Sequence, residues 1–220
     1  MSFFKKLFGK ADKQTQEVVQ EHLSANTPNK HIDNYLFPII KVGQSPAKKF
    51  VTADGQEIEL PDTSLPAMKQ IENTDLSITI GIDKGGHYEW LQNKHLEASL
   101  DETINQAYRN LLSKGDLSLG QIQEKGLENS KVGILSDQNG LASSYILVEQ
   151  VWDKIFSFCN STDITFIIPN QDKFLFCSST DLGGTIFLEA MSLLMSNQQP
   201  KKLSDNVFIK RKGSQIVMRT

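Results

Sequence analysis

The chain has 220 residues, of which 39% are hydrophobic and 22% are charged. These fractions are ordinary for a globular protein and argue against a disordered or fibrous chain. The formal net charge of −3 is too small to indicate a polyanionic partner, so no specific nucleic acid is expected. No apolar run approaches the ~20 residues that cross a bilayer, and the first residues lack the apolar core of a secretory signal. We therefore expect no transmembrane segment and a cytoplasmic location.

The first 30 residues form an expected peripheral N-terminal segment. Phe3, Phe4, Leu7 and Phe8 have helical spacing with lysines between them, which is compatible with docking on a domain or partner, or with a frayed end. Residues 31–220 are expected to form a single α+β domain. A division into sub-domains 31–115 and 116–220 stays open.

Strand patterns dominate the first half of that domain. Residues 35–40 predict an edge strand because Pro38 cannot donate a ladder hydrogen bond. Alternating apolar residues at 76–82 predict a half-buried strand whose partner follows at 87–92. A hairpin is predicted around Asp54 and Gly55, between residues 49–52 and 56–60.

Three amphipathic helices follow from the apolar spacing. Ser99 and Glu102 form a capping-box pattern before the first helix, and Gly115 suits its end. Residues 116–130 are then predicted to be a loop and 131–135 a strand. The second helix is predicted over 141–159. The third has a predicted core stripe of Ile186, Phe187, Ala190, Met191, Leu194 and Met195.

The second helix carries the strongest stripe in the sequence. Trp152 lies at helical spacing from Tyr145, Val148, Ile155, Phe156 and Cys159, and these residues are expected in the core. Ser143 and Ser144 are expected to cap this helix or occupy its first turn. Glu149 and Asp153 lie opposite the stripe and are expected in water, where replacement costs little.

The remaining strands complete the prediction of fold class. Residues 164–168 and 173–177 are almost continuously apolar and predict central strands, and residues 207–210 and 215–218 predict a closing hairpin. Because hairpin pairs are interrupted by helices without strict alternation, the chain predicts an α+β fold. That fold is a mostly antiparallel sheet, built from hairpins, with three amphipathic helices packed on it. Cys159 and Cys177 are expected to be buried, reduced thiols.

Several segments, in this order, resemble the YtpQ-like family of uncharacterised bacterial proteins, a domain of unknown function. The segments are Phe37–Ile40, Leu76–Asp83, Ala107–Leu111, Ala142–Leu147, Val151–Trp152 and Ile168–Asp172. Gln171 departs from the arginine expected before Asp172. The resemblance implies a bacterial cytoplasmic protein and supplies no activity.

Two turns hold the candidate ligand-binding residues. Asp83, Lys84 and His87 surround glycines that could bring backbone amides to an anion, although a plain hairpin turn explains them better. Asn170 and Asp172 could orient a ligand, or could stabilise their own turn.

Three further groups of residues have the side chains of a metal, nucleophile or phosphate site without its spacing. His87 and His95 near Glu89 and Glu97 lack the short spacing of a zinc site, so no metal is expected. Ser143 and Ser144 lack the surroundings of a hydrolase nucleophile. The basic residues are better explained as a solvated hairpin than as a phosphate-binding ribbon: Lys201, Lys202, Lys210, Arg211 and Lys212.

The absence of a catalytic pattern favours a non-enzymatic binding or protein-interaction module. Its partner is an unidentified protein or small molecule, no cofactor is expected, and a homo-oligomer stays open. The alternative is a hydrolase-like enzyme using scattered acid–base residues around the 83–87 and 169–172 turns. An enzyme predicts a deep polar pocket with perturbed ionisable groups, whereas a module predicts an exposed apolar patch or open sheet edge.

Overall fold

The structure, a computed structural model, describes residues 35–43, 49–51, 55–85, 87–114, 117–196 and 203–219. The predicted N-terminal segment 1–30 lies outside these residues. So do Asp54, Gly115, Lys201 and Lys202.

The described chain forms two units. The first holds residues 35–71 and 75–114, and the second holds residues 72–74 and 117–219. The strand pairings in the described ranges are antiparallel, and the three α-helices in these ranges contain 15, 11 and 15 residues. The predicted α+β fold with a mostly antiparallel sheet is therefore confirmed.

The elements of the first unit are β1 (Leu36–Val42), β2 (Lys49–Val51), β3 (Glu57–Glu59), β4 (Met68–Gln70), β5 (Leu76–Asp83), β6 (Tyr88–Trp90) and α1 (Leu100–Lys114). Strand β5 is the central strand of its sheet. It pairs with β1 along residues 76–82 on one side and with β4 and β6 on the other, so Pro38 lies on an edge strand as predicted. A separate hairpin joins β2 and β3.

Strand β5 is buried on both faces, and the predicted half-buried strand is wrong in this respect. Ser77 and Thr79, expected to face water, are 0% and 1% exposed. Their hydroxyls donate to the carbonyls of Gly43 and Ala67 at 2.7 and 3.0 Å. Buried hydroxyls need such partners, and short polar side chains supply them locally. Alternation of apolar residues with serine or threonine therefore does not distinguish a half-buried strand from a central strand that is buried on both faces.

Helix α1 begins at the predicted capping box. The Ser99 backbone N–H donates to Glu102 Oε2 at 3.0 Å, and the Glu102 N–H donates to Ser99 Oγ at 3.3 Å. The two side chains thus satisfy donors that the first helical turn leaves open. Ile104, Ala107 and Leu111 form the buried face, as their spacing predicts.

The elements of the second unit are β7 (Leu117–Gln121), β8 (Gly133–Asp137), α2 (Glu149–Cys159), β9 (Asp163–Asn170), β10 (Lys173–Ser178), α3 (Leu182–Ser196), β11 (Phe208–Arg211) and β12 (Ile216–Met218). Its six strands form one sheet in the order β12-β11-β9-β10-β8-β7. The predicted central strands β9 and β10 lie in the middle of this sheet. The predicted loop at 116–130 contains a strand, β7, which forms by pairing with β8 and therefore depends on a tertiary contact.

This sheet has apolar packing on both faces. On one face, the rings of Phe166 and Phe174 lie 5.2 and 5.5 Å from the Trp152 ring of α2. On the other face, Leu175 and Cys177 pack in a cluster with the buried residues of α3. Successive residues of β10 therefore point into different cores, as the period of a β-strand requires.

The predicted helix over 141–159 divides at Val148. A 3-10 helix covers Ala142–Leu147, and α2 begins only at Glu149. The carbonyl of Ile146 accepts a hydrogen bond from the Trp152 indole Nε1 at 2.6 Å, which the division makes geometrically accessible. The serines therefore do not cap α2: its N-cap is Val148, which makes no side-chain capping bond.

The predicted core stripe of α3 is also partly wrong. Leu188, Met191 and Met195 are buried in the core on this face of the sheet, and the predicted Phe187 packs against them while partly buried. Ile186 and Leu194, predicted to be buried, are 57% and 53% exposed. Because α3 is apolar on nearly all sides, its spacing alone does not distinguish the core face from the outer face.

We expect Trp152→Ala to lower the free energy of unfolding by about 3–5 kcal/mol, because it leaves a large cavity among Phe156, Phe166 and Phe174. Asp153, the next residue, is exposed and provides the matched control, Asp153→Ala, with an expected change within about 0.5 kcal/mol. Urea unfolding measures both. Equal, small losses would show that Trp152 is not in a core.

The burial of one cation corrects the prediction for Lys210 and gives Glu149 a role that the sequence does not predict. Lys210, predicted to lie on a solvated hairpin, is 4% exposed. Its ammonium donates to Glu149 Oε1 at 2.8 Å and to the Ser214 carbonyl. Glu149 itself is 70% exposed at the side chain, as predicted, but it neutralises a buried charge. Removal of Glu149 would leave the buried Lys210 ammonium without its charged acceptor.

Glu149→Ala should destabilise the protein by about 1–2 kcal/mol, because the Lys210 ammonium loses a charged acceptor. Glu149→Ala with Lys210→Met should recover most of that loss, since the double variant leaves no buried charge. Urea unfolding of the two single variants and the double variant tests the coupling. Additive losses would show that the ion pair carries no coupling energy.

Candidate functional site

A groove of about 1240 Å³ lies in the first unit. One wall of the groove is a row of directly paired residues on β1, β5 and β6. These residues are Leu36, Ile82 and Glu89. Gln106 and Arg109 of α1 contribute a polar wall. The remaining lining comes largely from β6 and the segment that leads to α1.

The charges along this groove are balanced. Three cationic side chains, Lys84, Lys94 and Arg109, line it together with three carboxylates, Glu89, Glu97 and Glu102. Some of these groups already have partners within the unit: Arg109 Nη2 donates to Gln106 Oε1 at 2.6 Å, and Lys84 lies 3.5 Å from Glu89. The groove therefore has no charge preference for a polyanion.

The turn predicted as a candidate site, residues 83–87, is a hairpin connection between β5 and β6. Asp83 Oδ1 accepts from the Gly85 N–H at 2.8 Å, and its Oδ2 lies 3.2 Å from Lys114 Nζ. The hydrogen bond from Gly85 is the main cause that lowers the pKa of Asp83 below its usual range, and the nearby Lys114 ammonium lowers it further. The carboxylate thus stabilises the turn. Of the three predicted residues, Lys84 alone is in the groove lining, and His87 is exposed at the turn.

The second candidate turn lies in the other unit. Asn170 is the last residue of β9 and is 3% exposed, whereas Asp172 occupies the two-residue turn before β10 and is exposed. The Asn170 Oδ1 atom has no hydrogen-bond partner within the described chain. The two predicted ligand groups therefore differ in access, since only Asp172 reaches solvent.

The serines weighed as nucleophiles are inside the protein. Ser143 and Ser144 are both 0% exposed, in the 3-10 helix before α2. The Ser143 backbone N–H donates to the Gln171 carbonyl at 2.9 Å, which holds this helix against the β9–β10 turn. A fully buried hydroxyl cannot reach an external substrate, so neither serine acts as a nucleophile in this conformation.

A smaller cleft of about 600 Å³ lies at the N-terminus of α3. Asp181 occupies the capping position, where its carboxylate accepts from the Gly184 N–H, the Lys131 N–H and the Ser130 hydroxyl, each at 2.8 Å. Burial opposes ionisation of Asp181, but these hydrogen bonds outweigh it and leave its pKa lowered. The cleft is not suited to binding an anion, because the Asp181 carboxylate already occupies the N-terminus of α3.

The histidines do not assemble into a metal centre within the described residues. His87 Nε2 lies 3.8 Å from Glu89 Oε1, and His95 lines the groove. No group of three or more His, Cys, Asp or Glu side chains in the described ranges could hold a metal ion.

The outer side of α3 is an apolar surface that sequence reasoning missed. Four large side chains there are strongly exposed, at 72%, 57%, 63% and 53%: Leu182, Ile186, Leu193 and Leu194. We call these four residues the α3 apolar face. The available signal was a helix without a polar side, which is typical of an element covered on both sides.

Comparison with known proteins identifies no relative. The chain has no significant match to a protein-family model, to a curated protein or to a solved structure. Among the described residues, no helix is long and apolar enough to cross a membrane.

The two thiols should react very differently with iodoacetamide. Burial raises the pKa of Cys159 to about 11 and that of Cys177 to about 12. Cys159 is half-buried beside the Asp181 cleft, so it should label roughly 100 times more slowly at pH 8 than an exposed thiol, with a tenfold rise per pH unit towards pH 10.

Cys177 is 0% exposed and should label only after unfolding. Mass spectrometry of wild type and Cys159→Ser separates the two reactions. Rapid alkylation of Cys159→Ser in the native state would contradict the burial of Cys177.

Proposed function

We propose that this protein is a non-enzymatic protein-interaction module of the cytoplasm, and that the α3 apolar face is its contact surface. The observation that carries the proposal is the exposure of Leu182, Ile186, Leu193 and Leu194 on one helix. Apolar patches of this kind on folded proteins mark interaction sites. The resemblance to the YtpQ-like family stays a prediction and adds no activity to this proposal.

The ionisable groups support the same choice over a hydrolase-like enzyme. Among the described residues, the carboxyl groups with shifted pKa values are all shifted downward: Asp83, Glu102, Glu128 and Asp181. A general acid must hold its proton near the working pH, and a lowered pKa removes that proton. The serines that could have supplied a nucleophile are buried.

Replacing one side chain of the α3 apolar face with a charge tests the proposal. Ile186→Glu in the full chain should reduce the amount of associated protein at least tenfold, because a carboxylate cannot be buried in an apolar contact. The fold should stay intact, since Ile186 is 57% exposed. Quantitative mass spectrometry of proteins bound to the tagged chain measures association.

Val42→Glu is the matched control, because Val42 is an exposed apolar residue of the first unit, 44% accessible at the end of β1. It should retain wild-type association. Equal association for wild type, Ile186→Glu and Val42→Glu would remove the α3 apolar face from the proposed function.

A further inference from the structure

The exposed side of α3 is complementary to itself. When two helices run antiparallel about a two-fold axis level with Leu188, residues equally far from position 188 face each other. Leu182 then faces Leu194 of the second copy. Ile186 faces Ala190, and Leu193 faces Gly183, both small residues on the exposed side. In two of these three pairs a large side chain opposes a small residue, which lets the two helices approach closely, and the third pair joins two leucines.

The exposed apolar area suits an interface of this kind. Four side chains at 53–72% exposure present roughly 450 Å² of apolar surface, within the range of the largest patches on folded proteins. A stable interface buries about 800 Å² on each partner, so the α3 apolar face supplies more than half before its flanks are counted. An apolar centre of this size is typical of contacts between copies of one chain.

The charges beside the face permit two copies to meet. Glu189, the single charged residue of α3, is bonded to Arg219 Nη1 at 2.8 Å. The antiparallel arrangement brings the Glu189 carboxylates of both copies near the two-fold axis. Each carboxylate is already paired with the Arg219 guanidinium of its own chain. The centre of the contact is therefore free of net charge, and Arg219 can also serve the carboxylate of the second copy.

We infer that the α3 apolar face binds the same face of a second copy of this chain, as an antiparallel two-fold dimer centred level with Leu188. This inference rests on the proposed function, because it names the partner of that surface. A different protein on the same face is an alternative outcome of the tests below.

Sedimentation velocity of the full chain over a concentration series tests the dimer. Wild type and Val42→Glu should sediment with twice the monomer mass. Ile186→Glu and Leu194→Glu should each raise the dimer dissociation constant at least about 30-fold, because the two-fold axis places every substitution in the contact twice. Circular dichroism confirms that each variant is folded before its mass is interpreted.

Cysteine crosslinking tests the antiparallel arrangement. With a rise of 1.5 Å per residue, two copies of residue 190 are separated by about 6 Å along the helix axes, and two copies of residue 182 by about 18 Å. A short bismaleimide should therefore couple Ala190→Cys into a covalent dimer and leave Leu182→Cys uncoupled. The wild-type chain, with Cys177 buried and Cys159 half-buried, is the reagent control and should stay uncoupled.

The outcomes separate the two proposals. A monomeric wild type whose bound proteins are lost in Ile186→Glu would overturn the dimer and leave the interaction module standing. A monomer with no association sensitive to Ile186→Glu would overturn both. A dimer that survives Ile186→Glu would place the contact elsewhere, and coupling of Leu182→Cys in place of Ala190→Cys would overturn the antiparallel arrangement.

Discussion

The second unit depends on the burial of one indole ring. Trp152 is 1% exposed, and its ring contacts Phe166 and Phe174 on neighbouring strands while its Nε1 donates to the Ile146 carbonyl. One side chain thus joins the 3-10 helix, α2 and the middle of the sheet. A hydrogen-bonded indole contributes both apolar area and a satisfied polar group, which restricts the packing around it to one arrangement.

This arrangement determines what the other face of the sheet can do. The aromatic residues of β9 and β10 point towards α2, so the alternate residues of the same strands, including Ile167 and Leu175, point towards α3. Helix α3 covers that second core with Leu188, Met191 and Met195, and the partly buried Phe187 packs against the same cluster. Four apolar side chains of the same helix stay exposed and form the surface that we propose for association: Leu182, Ile186, Leu193 and Leu194.

Three carboxylates stabilise the fold, and Asp83 is the one among them that the sequence predicts as a ligand-binding residue. Asp83 accepts a backbone hydrogen bond in its turn, Asp181 caps α3, and Glu149 neutralises buried Lys210. In each position the carboxylate accepts a hydrogen bond that would otherwise be unmade inside the fold. The donor is a backbone amide of a turn, an amide at the start of a helix, or a buried ammonium. Each of the three carboxylates therefore has its partner within the fold.

The sequence by itself determined the local features: the α+β class, the capping box of Ser99 and Glu102, the hairpins, and the burial of Trp152. These follow from side-chain spacing and from hydrogen bonds within a few residues, which hold wherever the segment lies. Tertiary structure decided which side of an apolar helix is covered, whether Ser77 and Thr79 face water, and where Lys210 finds its carboxylate. Those outcomes depend on residues distant along the chain. Lys210 is neutralised by Glu149, and Ile186 is exposed because another side of α3 packs on the sheet, and neither contact can be derived from a local pattern. The α3 apolar face belongs to this second group, because a helix apolar all round acquires an outer side only when a sheet covers its inner one.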